Sequence, residues 1–140
     1  MSGEFALFRE HEVEAIIRDY LHLKGVEVIS KELHGADIRG EDKSGQRYVI
    51  EVEGNQKPDS RPLDKSQKYT HFRRAIGQIC SRMRDDSAIY VVGLPVDVDY
   101  INDVHATSLA RMKLGLYVYF VDGDKKVHEV TPSDSFSKQN

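Results

Sequence analysis

Between residues 8 and 24, FREHEVEAIIRDYLHLK, the apolar positions Val13, Ile16, Ile17, Tyr20 and Leu21 recur at the i, i+3, i+4, i+7, i+8 spacing of an amphipathic helix. Gly25 then supplies a stop. The period changes to two in VEVISKEL (26–33), and ADIRG and RYVIEVEG (47–54) continue as short strands around the polar turn EDKSGQ (41–46). NQKPDSRPLDKSQ, with two prolines and almost no apolar residues, reads as a mobile loop. A helical period returns at 67–84, QKYTHFRRAIGQICSRMR, with Phe72, Ile76, Ile79 and Met83 on one face. SAIYVVGLP is a strand with the near-continuous apolar run of a sheet covered on both sides. One helix over DVDYINDVHATSLARMK, capped by Asp97 or Asp99, and a strand–turn–strand over LGLYVYFVDGDKKVHEV complete the pattern. The order α-β-β-β-α-β-α-β-β predicts an α/β domain: a central mixed β-sheet flanked by helices, with an αβββαβ core, a C-terminal helix and a β-hairpin. The 140 residues form one domain, with its core at about 8–121 and a frayed tail at 131–140.

YVIEVEGN interrupts the pattern. In a strand, successive side chains face opposite ways, so Tyr48, Ile50 and Val52 share one face while Val49, Glu51 and Glu53 share the other. Acidic side chains are rarely buried without a partner, and two on one face repel unless a cation lies between them. The hairpin brings Asp37 beside Glu51. Three converging carboxylates make an oxygen-rich site suited to Mg2+ or Mn2+. Glu14, at the edge of the first helix's apolar stripe, is a fourth candidate ligand, with Glu10 one turn earlier the weaker one; taken alone, Glu14 reads more simply as an ordinary surface acid.

Composition narrows the class. With 39% hydrophobic and 31% charged residues the chain is globular, and no stretch is long enough to span a membrane. One cysteine, Cys80, excludes an internal disulfide and fits a reducing cytoplasm; its place near the apolar face of the second helix predicts a buried packing role. MSGEFALFREHE lacks the basic start and apolar centre of a secretory signal, in keeping with a cytoplasmic location. No zinc spacing, nucleophile elbow or phosphate-cradling glycine loop occurs. The net charge of −3 conceals a basic block: residues 57–84 carry 8 Lys and Arg against 2 Asp and Glu, directly after the paired glutamates. Within it Arg74, Gln78 and Arg82 stand at i, i+4 and i+8 with His71 nearby, a line that can hold phosphate oxygens or simply face solvent. Arg73, Arg74, Arg82 and Lys57 are the candidate nucleic-acid contacts. His34 either touches substrate or ends a strand, and the tyrosines of YVYF belong to the core or sheet surface.

Taken together, Glu14 on a first helix, GAD with Asp37, YVIEVEG with Glu51 and Glu53, and AIGQICSRM with Gln78 resemble the restriction-endonuclease-like PD-(D/E)xK nuclease superfamily over about residues 8–121. The resemblance implies a metal-dependent nuclease that hydrolyses phosphodiester bonds, most simply in DNA. It gives metal-binding roles to Asp37, Glu51 and Glu14, and places Gln78 beside the reaction. It departs at two points: Ala36 stands where the motif has proline, and Glu53 where it has lysine. In E-x-E members the second acid is thought to help activate water or to hold a second metal ~4 Å from the first. Alternatively, loss of the lysine marks a catalytically inactive domain that binds nucleic acid or a protein partner, as a regulator or toxin-system component would. Lys57 or Lys65 restores a positive group if the loop folds inward. Cutting both strands usually takes two sites, the one argument here for a homodimer.

Overall fold

The computed structural model describes residues 5–29 and 35–134. Along the chain run α1 (Glu10–Leu23), β1 (Glu27–Ile29), β2 (Ile38–Glu41), β3 (Arg47–Val52), α2 (Lys65–Arg82), β4 (Ile89–Pro95), α3 (Val98–Ala106), α4 (Ser108–Leu114), β5 (Leu116–Val121) and β6 (Val127–Val130). The strands form one six-stranded mixed sheet in sequence order. β3, β4 and β5 are parallel at its centre, with antiparallel pairs outside them. The remainder of the expected VEVISKEL strand, and His34, lie outside the described residues, as do 135–140 of the tail.

The alternation along β3 divides the protein into two cores. Tyr48, Ile50 and Val52 pack with Val13, Ile17 and Leu21 of α1. Val49 joins Phe72, Ala75 and Ile79 of α2 and Tyr100 and Val104 of α3 on the opposite face. Each parallel connection is helical and runs over this second face, as parallel strands require. α1 covers the other.

Two readings of the sequence need correction. The single helix expected over 97–113 is two helices that meet at Thr107, whose hydroxyl donates back to the carbonyls of Asp103 at 2.9 Å and Val104 at 3.2 Å. Such back-bonding offers the backbone an alternative to continuing the helix. Cys80 is exposed. The buried stripe of α2 runs through Phe72, Ala75 and Ile79, and the next residue lies about 100° further round the helix, beyond that stripe. The loop after β3 is closed by a bridge between Gln56 and Pro62 and by Asp64, which caps α2 by accepting from Gln67 N at 2.8 Å.

Gly54 fixes how the first helix enters. A Cβ there would lie 2.5 Å from the Phe8 carbonyl oxygen and 2.6 Å from the Glu10 nitrogen, so only glycine lets the two chain segments pass. Asn55 locks that crossing, accepting from Phe8 N and donating to the Ala6 carbonyl, each at 2.8 Å. The start of α1 is thereby held against the end of β3.

Candidate active site

The acids of β3 emerge at that crossing. Glu51 and Glu53 are only 3% and 4% exposed. Ile38 pairs with Ile50 and Arg39 with Val49, so one further step places Asp37 opposite Glu51. Asp37 is fixed by β3 itself, since one carboxylate oxygen accepts from Val52 N at 2.9 Å. Its other interactions include a hydrogen bond with the Glu51 carboxyl. Burial, then that bond and the Asp37 charge, push Glu51 well above the usual carboxylate range, against the opposing pull of Arg82.

Helix α2 delivers a guanidinium to each glutamate. Arg74 Nη2 lies 3.4 Å from Glu53 Oε1, and Arg82 Nε lies 3.5 Å from Glu51 Oε1. The second contact is open: both atoms are buried, and neither makes a hydrogen bond among the described residues. Arg82 also reaches the Gly35 carbonyl at 3.3 Å. His71 Nδ1 stands 3.5 Å from Glu53 Oε2, with its pKa lowered by burial and by the nearby Arg74 charge. Glu53 is pushed up to about 7, by burial first and then by the charge of Glu10, with Arg74 opposing.

The line Arg74–Gln78–Arg82 thus brings its two arginines to the acids, while Gln78 between them is exposed. Arg73 turns outward, its guanidinium 3.3 Å from the Tyr69 ring centre and 3.6 Å from Asp103. Lys57 lines a cleft of about 360 Å3 that opens onto Glu53, together with Glu10, His11 and His71. Lys65 begins α2, where its charge acts on Asp103. Glu14 lies at the site margin, its carboxylate 3.2 Å from Arg18, which in turn donates to the Asp37 carbonyl at 3.3 Å. It is Glu10 whose charge acts on Glu53. The Gly54 crossing lies against Phe8, Arg9 and Glu10, at the start of α1, which puts Glu10 beside the end of β3.

Among the described residues, no group of three or more His, Cys, Asp and Glu side chains is arranged to hold a metal ion. Asp37 and Glu51 nevertheless fit a hard divalent cation. They are two oxygen donors in contact, one of them buried with an orphaned oxygen, and Mg2+ commonly takes one or two carboxylates and completes its shell with water and phosphate.

A strand-ordered mixed sheet with α1 on one face and α2 and α3 on the other, and acids at the β2–β3 hairpin, defines a restriction-endonuclease-like α/β fold. A similar solved structure is that of an XisH family protein from Nostoc punctiforme, 17% identical, with a TM-score of 0.54 over 85% of this chain and 95% of that one. At such identity the likeness shows the fold alone. No family model and no curated protein matches the chain. No described helix is long and apolar enough to cross a membrane.

Proposed function

We propose that this protein is a divalent-metal-dependent nuclease that hydrolyses phosphodiester bonds, in DNA first of all. The observation that carries the reading is Glu51, buried beside the half-buried Asp37, whose Oε1 makes no hydrogen bond among the described residues and faces an arginine nitrogen that also makes none across 3.5 Å. Buried polar atoms left without a hydrogen bond are costly, and proteins retain them where a ligand completes them.

Asp37 and Glu51 would hold Mg2+ or Mn2+. Bound there, the ion supplies a Lewis acid for the phosphoryl oxygen and acidifies a coordinated water. Glu53, poised near pH 7, takes the proton of the attacking water. His71 and Arg74 hold its carboxylate in place. The lysine that the E-x-K motif would put on β3 has a counterpart in charge: Arg74 reaches the same acid from α2. Arg82 and Arg74 then face the scissile phosphate, with Lys57, Arg73, Gln78 and Glu14 at greater remove.

Plasmid, single-stranded and branched DNA, and RNA, each with Mg2+ or Mn2+, form the direct test. Cleavage that Glu51→Ala abolishes is expected. If no substrate is cut, or the variant cuts as well as wild type, the nuclease reading fails. One observation favours a second reading, an inactive nucleic-acid or protein binding module: Glu53 already has two partners in His71 and Arg74. Salt-sensitive binding without cleavage would support it.

A further inference from the structure

One step back along β2 and β3 from Asp37 and Glu51, on the same sheet face, lies a cavity of about 130 Å3. Val49 and Tyr90 line it, and four arginines surround it: Arg39, Arg47, Arg82 and Arg84. Arg47 is committed to Asp85, with contacts of 2.7 and 2.9 Å. The rim acid Glu41 is exposed and paired across the hairpin with Arg47.

Arg39 and Arg84 have no carboxylate partner among the described residues, and Arg82 has only its 3.5 Å contact with Glu51. Arg39 Nε is buried and has no hydrogen-bond partner among the described residues. Arg84 donates to the carbonyl of Ser81 at 3.0 Å. Arg82 spans the gap, with Gly35 O on one side and the open contact to Glu51 on the other. Cations crowded at one small cavity repel, and an anion with several acceptor oxygens relieves that repulsion while using the forked donors. Pockets that enclose an organic ligand run to roughly 300–1,000 Å3, so this one seats a single group.

We propose that Arg39, Arg82 and Arg84 form a phosphate subsite beside the acidic pair, which seats one phosphoryl group of the bound nucleic-acid strand. The subsite rests on the nuclease reading for the identity of the strand, and on its own geometry for the anion. The phosphoryl group is either an internal backbone phosphate or a terminal monophosphate.

Fluorescence anisotropy of the full chain in EDTA tests it, with labelled single-stranded oligonucleotides of one sequence, with and without a 5′-phosphate. The variants are Arg39→Gln, Arg84→Gln and Arg39→Lys, with Lys126→Gln on the exposed β5–β6 turn as control; thermal unfolding confirms that each is folded. Each Gln variant is expected to bind about tenfold more weakly or worse, and to lower the slope of log affinity against log salt by about 0.7 per lost contact. Arg39→Lys retains part of the affinity and the control all of it. Equal losses on both oligonucleotides mark an internal phosphate; a loss confined to the phosphorylated one marks a terminal group. If Arg39→Gln and Arg84→Gln bind within twofold of wild type with unchanged slopes, or wild type binds neither oligonucleotide, the subsite is overturned. Mg2+-dependent cleavage in parallel separates the two ideas: arginine-dependent binding without cleavage removes the nuclease and keeps the subsite, whereas cleavage indifferent to both arginines does the reverse.

Discussion

Two clusters of charge are buried in this protein, and they are built differently. Lys68 Nζ sits 3.1 Å from both oxygens of Asp97 and 2.6 Å from Asp99. Asp97 also accepts from Asp99 N at 2.9 Å and Asn55 Nδ2 at 3.0 Å, which caps α3 and ties it to the end of β3. Burial works against the lysine's charge, but the hydrogen bonds to Asp99 and Asp97 more than offset it and raise its pKa. The Asp37–Glu51–Glu53 cluster has contacts to arginine and histidine of 3.4–3.5 Å, an orphaned oxygen, and Glu51 and Glu53 pushed upward. The first cluster is complete as it stands. The second leaves buried atoms without hydrogen bonds among the described residues. Burial of charge therefore identifies neither structure nor function; how far the charge is satisfied distinguishes them.

The comparison breaks most sharply under substitution. Glu51→Gln is expected to lower the cleavage rate by about a thousandfold or more, since electrostatic stabilisation at the reacting centre contributes several kcal/mol. Its metal-free melting temperature should stay level or rise, because a carboxyl that resists ionisation is replaced by a neutral isostere. Lys68→Met should behave in the opposite way. Leaving Asp97 and Asp99 unpaired costs about 3 kcal/mol, or a fall on the order of 10 °C in melting temperature, with little change in activity per folded molecule. Equal destabilisation by both changes would erase the distinction.

A smaller effect follows from proton linkage. Glu51 and Glu53 have folded pKa values above their unfolded ones, so between about pH 4.5 and 8 the folded state binds more protons than the unfolded state. Stability of the metal-free protein must then fall as pH rises through that window, by on the order of 2 kcal/mol. His71, lowered, opposes this modestly below pH 6.5, whereas the lowered acids Asp122 and Glu129 act below the window. Urea unfolding at pH 5 and pH 8 in EDTA measures the difference, and Glu53→Gln should reduce it while leaving the share of Glu51. A rise in stability across the same range would contradict the assignment. Smallest is the effect of Arg74→Gln. Removing a cation that holds Glu53 down raises its pKa further, so the acid limb of the pH–rate profile should move to higher pH, with a loss at pH 7 of less than about tenfold.

Much of the acidic site can be read from the chain because short-range rules govern it. Strand alternation puts Glu51 and Glu53 on one face, hairpin register brings Asp37 across, and the i, i+4, i+8 line aims Arg74 and Arg82 at them. The Lys68 cluster has no such signature. Its partners lie 29 and 31 residues away, on the far side of a strand, and only the packing of α2 on α3 joins them. Arg39 and Arg84 escape for the same reason, since their proximity depends on how α2 ends over the hairpin. The choice between Glu10 and Glu14 turns on the helix's entry point at Glu10, which Gly54 sets from 44 residues further along the chain. The break at Thr107 has a local cause in its hydroxyl, and that signal is present in the sequence.

The central claim is that the Asp37–Glu51 pair is completed by a divalent cation. Calorimetric titration of Mn2+ into the wild-type chain and into Glu51→Ala addresses it without any substrate. Saturable heat in the wild type that disappears in the variant is the predicted result. No heat in the wild type, or the same isotherm in both, would contradict it.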